Sequence, residues 1–154
     1  MILGLVETVS VIAHSSKSPV FIWSTLRFSS TLYTHPVLDR LTETVPDVWQ
    51  PEVRLGLQEA LINAVCHGNG LDPDKEVVVQ YANRAPIYQW LISDQGSGFL
   101  GSCSWCCPHE REESGRGRFI MTQVFDYVEW DGNGSQLYLA KYIDCSPHRQ
   151  PLIV

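Results

Sequence analysis

An α/β two-layer sandwich, with a mostly antiparallel sheet and helices on one face, is the fold class this sequence predicts. Three observations carry it. Runs of alternating β-branched and aromatic residues are joined by turns bearing Gly, Asn or Pro. Elsewhere, apolar residues recur at helical spacing. The chain has 154 residues, of which 44% are hydrophobic and 18% charged, so it is long enough for one domain with a substantial core.

The elements follow in order. Residues 9–13 can form a strand, and Ser15-Ser16-Lys17-Ser18-Pro19 reads as a linker. Residues 20–31 alternate imperfectly and read as a strand. Residues 35–44 fit a short helix through Val37, Leu38, Leu41 and Val45, and Pro46 stops it. A longer helix starts near Pro51, with Glu52 suited to the positive end of its dipole. Val53, Leu57, Ala60, Leu61, Ala64 and Val65 make its apolar stripe, and Gly68 and Gly70 end it. Residues 76–83 and 87–93 are two strands joined at Arg84-Ala85-Pro86. Residues 99–114 lack periodicity and read as a loop, and residues 117–125 read as a helix. Residues 127–131 and 135–143 close the domain as a hairpin through Gly132-Asn133-Gly134.

Composition excludes several function classes. A net charge of −6 argues against direct nucleic-acid binding, which needs a basic face. No apolar run is long enough to span a bilayer, and Met1-Ile2-Leu3-Gly4-Leu5-Val6 lacks the basic region of a secretory signal. The cysteine count is five, an odd number, which without an export signal points to the cytoplasm and mostly free thiols.

Three motifs carry chemistry. In Glu59-Ala60-Leu61-Ile62-Asn63-Ala64-Val65-Cys66-His67-Gly68, Glu59 and Asn63 are four apart and share a helical face, which His67 continues. A carboxylate there can polarise a hydroxyl, and a carboxamide oxygen is a neutral hard ligand for Mg²⁺. Asp94-Gln95-Gly96-Ser97-Gly98 puts a carboxylate at a strand end before two glycines that let a ligand approach the backbone. Ser114-Gly115-Arg116-Gly117 precedes a helix and can aim amides at an anion, with Arg116 adding charge. Plainer readings stand beside these: a solvated helix face for Glu59 and Asn63, a helix-capping histidine for His67, an ordinary turn at Asp94, and a flexible loop at Gly115.

In this order and spacing, Glu-x-x-x-Asn-Ala, Asp-x-Gly-x-Gly and Gly-x-Gly resemble the GHKL (Bergerat-fold) ATP-binding superfamily. Within it, the pattern is most similar to the anti-sigma-factor serine/threonine kinases. The resemblance runs from about Trp23 to Ile143 and implies a histidine-kinase-like ATPase domain over residues 20–144, an N-terminal extension over 1–19 that can add a strand, and a tail over 145–154. It implies ATP and Mg²⁺ as cofactors, Glu59 as general base, and Asn63 as Mg²⁺ ligand. It further implies adenine recognition by Asp94 with contacts from Gly96 and Gly98, phosphate contacts from Gly115, Arg116 and Gly117, and a nucleotide contact from His67. The partners it implies are a sigma factor, a STAS-type antagonist whose serine is phosphorylated, and a second copy of the chain as a homodimer. A non-catalytic ATP-binding switch module is the competing function. A histidine-kinase catalytic fragment fits less well, because that class carries long dimerisation helices and a phosphoacceptor region. Cys103, Cys106 and Cys107, with His109 nearby, fall where the family has its variable ATP lid. They read either as a metal or redox site or as lid thiols without a complete ligand set.

Overall fold

The structure is a computed structural model that describes residues 6–12, 21–98, 111–144 and 151–152. The strands are β1 (Val6–Ile12), β2 (Phe21–Ser29), β3 (Glu76–Arg84), β4 (Ile87–Ser93), β5 (Tyr127–Trp130) and β6 (Gln136–Tyr142), and the helices are α1 (His35–Thr42), α2 (Gln50–Ile62) and α3 (Arg111–Val124). The strands form one sheet in the order β1-β2-β3-β4-β6-β5, and every described pairing is antiparallel. This is the α+β sandwich that the alternation and the helical stripes predict.

Strand periodicity explains which face is covered. Leu26 pairs with Val79, Val79 with Ile92, and Ile92 with Leu137, so these side chains stand on one face. Phe28, Val77, Trp90 and Leu139 join them. Onto this face pack Leu38 and Leu41 of α1, Val53, Leu57 and Leu61 of α2, and Met121, Val124 and Phe125 from the C-terminal part of α3 and just beyond it, all buried. Burying a side chain of this size stabilises by about 1.5–3 kcal/mol, so this one apolar layer supplies most of the driving force. Trp90 sits at its centre and meets the Phe125 ring edge-on at 5.6 Å.

Three departures from the sequence reading stand out, and the last two bear on the site. First, the strand expected over residues 9–13 spans Val6–Ile12 and pairs along its length with β2. Glu7 on it accepts hydrogen bonds from Arg40 of α1 and from the Tyr81 hydroxyl of β3, which ties this edge strand to two further elements. The Arg40 bond is the main cause holding the Glu7 carboxyl below its ordinary value, against the opposing effect of burial.

Second, α2 does not run as an α-helix to Gly68. From Asn63 to Gly68 it is π-helical, and the Asn69 amide donates to Ala64 O at 2.8 Å. A π segment changes the angular step along a helix, and such segments cluster at functional sites. Here the shift begins at Asn63, so the stripe that α-helical spacing draws from Glu59 to His67 does not continue past it. Gly70 and Leu71, both at positive φ, then turn the chain toward β3.

Third, α3 begins at Arg111, not after Ser114, so Gly115, Arg116 and Gly117 lie within the helix. Arg-Glu-Glu ahead of the glycines extends the helix in a stretch that the sequence reading assigns to a loop. Cys103, Cys106, Cys107 and His109 lie outside the described residues.

One polar group in the core has no counterpart in the sequence reading. Glu52, expected only to complement the α2 dipole, is 1% exposed and ion-paired with Lys141, which is 3% exposed. Lys141 also donates to Val124 O and lies 4.9 Å from the centre of the Trp49 ring, and Glu52 accepts from the Leu152 amide.

Candidate functional site

The site lies where β4 ends, beside the start of β6 and under the junction of α2 with the π segment. Antiparallel pairing of Ser93 with Gln136 sets this meeting point, and the Asp94 amide donates to Ser135 O at 3.0 Å. A cleft here is lined by Ala60, Asn63 and Ala64 on the helix side, Ile92 and Asp94 on β4 and its end, and Trp130 and residues 134–137 on the closing hairpin. The cleft is small, and its walls mix apolar side chains with the carboxamides of Asn63 and Gln136, Ser135 and the Asp94 carboxylate.

Asp94 is held in a specific way. Its Oδ1 accepts from the Gly96 amide at 2.8 Å, which closes a tight turn. Burial raises the Asp94 carboxyl above its ordinary value of 3.8, the Gly96 hydrogen bond opposes that, Asp131 adds to it and Lys75 opposes it. A half-buried carboxylate with a spare oxygen is a strong acceptor for a ligand N–H.

The close approach of two backbone segments makes this turn possible. A Cβ on Gly68 would lie 2.6 Å from Asp94 Oδ1, and nearer still to Cγ and Oδ2. On Gly96 it would run into the Gly68 carbonyl and lie 2.9 Å from Asp94 Oδ1. Gly98 has φ 76° and its missing Cβ would meet the Asn133 carbonyl, so this turn abuts the β5–β6 hairpin.

Glu59 of α2 and Asn63 at the start of the π segment meet the third motif. A Cβ on Gly117 would lie 2.9 Å from Glu59 Oε2 and 3.8 Å from Asn63 Nδ2, so α3 presents bare backbone to both side chains. Arg116 is exposed. His67 is exposed and is not among the residues that line the cleft, as the π step leads one to expect. The structure thus brings Glu59, Asn63 and Gly117 together, and joins Asn63 to Asp94 across one cleft. Gly96 and Gly98 frame the Asp94 turn.

Sequence reasoning missed Gly68 as a neighbour of Asp94, Trp130 and Leu137 as walls, and Asn69, which is 2% exposed behind the turn. The signal for Trp130 and Leu137 is their register: the two are paired across β5 and β6, level with Ile92.

Comparison with known proteins agrees with this geometry. The family model described as histidine kinase-like ATPase domain matches residues 33–141. The chain is 28% identical over 116 residues to the anti-sigma F factor of Geobacillus sp. (strain WCH70), covering 70% of this chain and 73% of that protein. It is 30% identical over 116 residues to the anti-sigma F factor of Geobacillus thermodenitrificans (strain NG80-2), with the same coverage of 70% and 73%. The matched region contains all three motifs and every described residue of the cleft. The chain belongs to the histidine kinase-like (GHKL) ATPase family, in its anti-sigma-factor kinase branch.

Proposed function

We propose that the protein is an ATP-dependent serine/threonine kinase that acts as an anti-sigma factor and phosphorylates a STAS-type antagonist. The observation that carries this reading is the convergence of Glu59 and Asn63 on Gly117, in the same cleft region as Asp94. A binder needs an acceptor for the base and a cradle for the phosphates. A kinase needs in addition a carboxylate beside the phosphate end, the role this reading gives to Glu59, which lies against Gly117.

The residues fit magnesium nucleotide. Ala60, Ile92 and Leu137, all buried, form the apolar floor of the cleft and Trp130 stands at one side, the lining a purine would meet. Mg²⁺ usually takes only one or two protein ligands beside phosphate oxygens and water, a requirement that Asn63 meets with Glu59 next to it. When bound, Mg²⁺·ATP supplies the transferable phosphoryl group and neutralises its developing charge.

Each side chain then has a defined task. Asp94 accepts the exocyclic amine of adenine and rejects a base with a carbonyl at that position. Asn63 holds its amide oxygen toward the metal. Gly117, lacking a side chain, lets α3 pack against the Glu59 carboxylate, and the exposed Arg116 adds positive charge for the phosphates, while the amides of Gly115 to Gly117 lie inside α3 and do not form the helix-start nest the sequence suggests. Glu59 accepts the proton of the incoming serine hydroxyl, the role in which a positioned carboxylate contributes most. His67, at the solvent side, is a peripheral contact at most.

The sigma factor, the STAS antagonist and a homodimeric assembly complete the proposal by similarity to the anti-sigma F factors. No described helix is long and apolar enough to cross a membrane, which accords with partners met in solution. The test is incubation of the protein with γ-labelled ATP, Mg²⁺ and a panel of STAS proteins. Label on a serine of one STAS protein supports the kinase. ATP binding without any transfer turns the assignment to a non-catalytic switch.

A further inference from the structure

We propose that Asn69 is a positioning residue for adenine selectivity, which fixes the Asp94 turn from behind through its buried side-chain amide. The proposal rests on the assignment of Asp94 as the adenine acceptor. Asn69 follows the π segment directly, and its side chain reaches three other parts of the chain. Its Nδ2 donates to Ser30 Oγ at 2.5 Å and to Glu76 O at 3.0 Å. Its Oδ1 accepts the backbone amide of Gln95 at 2.7 Å. Both amide hydrogens and the carbonyl oxygen are therefore used, at a residue only 2% exposed.

The consequence falls on Asp94. Gln95 is the residue between Asp94 and Gly96, and the Gly96 amide is what holds Asp94 Oδ1. Fixing the Gln95 N–H fixes the peptide plane that joins Asp94 to Gln95, and with the Gly96 amide bond it sets the direction of the Asp94 carboxylate. A second bond strengthens the clamp: Gln95 Oε1 accepts the Glu76 amide at 2.7 Å. The ends of β2, β3 and β4 and the end of the π segment are thus tied at one buried amide. A carboxylate that reads one edge of a base discriminates only if its direction is fixed to within a fraction of an ångström.

No other side chain of this length meets the requirement. Aspartate keeps an acceptor for Gln95 but has no donor for Glu76 O. Leucine fills the volume and leaves the Gln95 amide unpaired. Alanine removes the clamp and leaves the turn free to rotate.

The experiment compares ATP and GTP affinity, by direct titration and by competition, for the full-length wild type, Asn69→Ala, Ser30→Ala and Asp94→Ala. Circular dichroism and thermal melts report folding. Asn69→Ala is expected to melt at lower temperature and to lower the ATP-over-GTP preference by about tenfold, equivalent to about 1.4 kcal/mol. Ser30→Ala, which removes one of the two acceptors of Nδ2, is expected to lower the preference by roughly two- to threefold, a part of one hydrogen bond. A purely structural Asn69 would change the melting temperature and leave the preference of the folded protein untouched. That result overturns the proposal, and loss of preference in Asp94→Ala then shows that the Asp94 assignment still stands. If Asn69→Ala does not fold, an unchanged preference in Ser30→Ala overturns the proposal instead. Wild-type preference in Asp94→Ala removes the adenine assignment itself, and the role of Asn69 with it.

Discussion

Replacing Gly68 by alanine adds one methyl group where the structure has no room for it. The Gly68 φ is not in the left-handed region, so the backbone accepts alanine and the conflict is steric. The new Cβ would lie 2.6 Å from Asp94 Oδ1. Non-bonded carbon contacts settle near ~3.5 Å, so the carboxylate has to move by about 1 Å or more. The Gly68 backbone has little room to yield, because its carbonyl occupies the space where a side chain on Gly96 would begin. Asp94 can yield, because it is the free end of a side chain. With Asp94 in its proposed role, such a shift breaks its bond to a bound adenine amine, and a hydrogen bond to a charged acceptor is worth about 1.5–3 kcal/mol. At about 1.4 kcal/mol per tenfold, Gly68→Ala loses roughly 10- to 100-fold in ATP affinity. The loss is concentrated in the preference for ATP over GTP. Isothermal titration with both nucleotides measures this, with a thermal melt to confirm folding. A folded Gly68→Ala protein with wild-type ATP affinity and selectivity would refute the reasoning that links Gly68, Asp94 and adenine.

Two further outcomes follow from buried charge. Lys141→Met leaves Glu52 buried without its cationic partner, and breaking one side of such a pair costs about 3–5 kcal/mol. Urea denaturation should show that loss, which is a large fraction of the ~5–15 kcal/mol holding a typical domain folded; a change below about 1 kcal/mol would mean that Glu52 is solvated or rearranges freely. The second outcome concerns pH. Because burial raises the Asp94 carboxyl above 3.8, the folded state binds a proton more tightly than the unfolded state. Asp94 therefore costs stability increasingly as pH rises through the interval between the ordinary and the raised value, and the full cost persists above it. Asp94→Asn removes the titration, so melting curves between about pH 3 and pH 7 should show the variant gaining on the wild type as pH rises. A gain in the opposite direction contradicts the burial of Asp94.

Much of the fold was legible because its cause is local. The β3–β4 and β5–β6 hairpins alternate with period two, and their turns carry the residues that turns need. The start of α3 was not legible, since Arg-Glu-Glu-Ser-Gly-Arg-Gly has two glycines that lower helix propensity and no apolar stripe to offset them. The π segment was not legible either: Asn63-Ala64-Val65-Cys66-His67-Gly68 suits an α-helix equally well. The inward Lys141 could have been anticipated. It follows Leu137 and Leu139 at a spacing of two, so it faces the core and requires a buried partner. That the partner is Glu52 depends on packing between distant elements.

The candidate site was legible in its chemistry and less so in its supports. Glu59, Asn63, Asp94 and Gly117 stand out because carboxylates, a carboxamide and glycines recur at telling spacings. Gly68 and Asn69 do not stand out, because a glycine and an asparagine after a helix are ordinary stop signals. Their importance comes from touching the Asp94 turn, a contact between segments 26 residues apart.

The central claim, that Glu59 serves chemistry while the cleft serves binding, is tested most directly by one paired measurement on Glu59→Gln. Nucleotide affinity and single-turnover phosphoryl transfer to a STAS-type substrate are measured on the same preparation. A general base acts mainly in the transition state, so affinity should stay near wild type while the transfer rate falls by ~10²–10⁴-fold. Transfer at the wild-type rate by a folded Glu59→Gln protein would contradict the account.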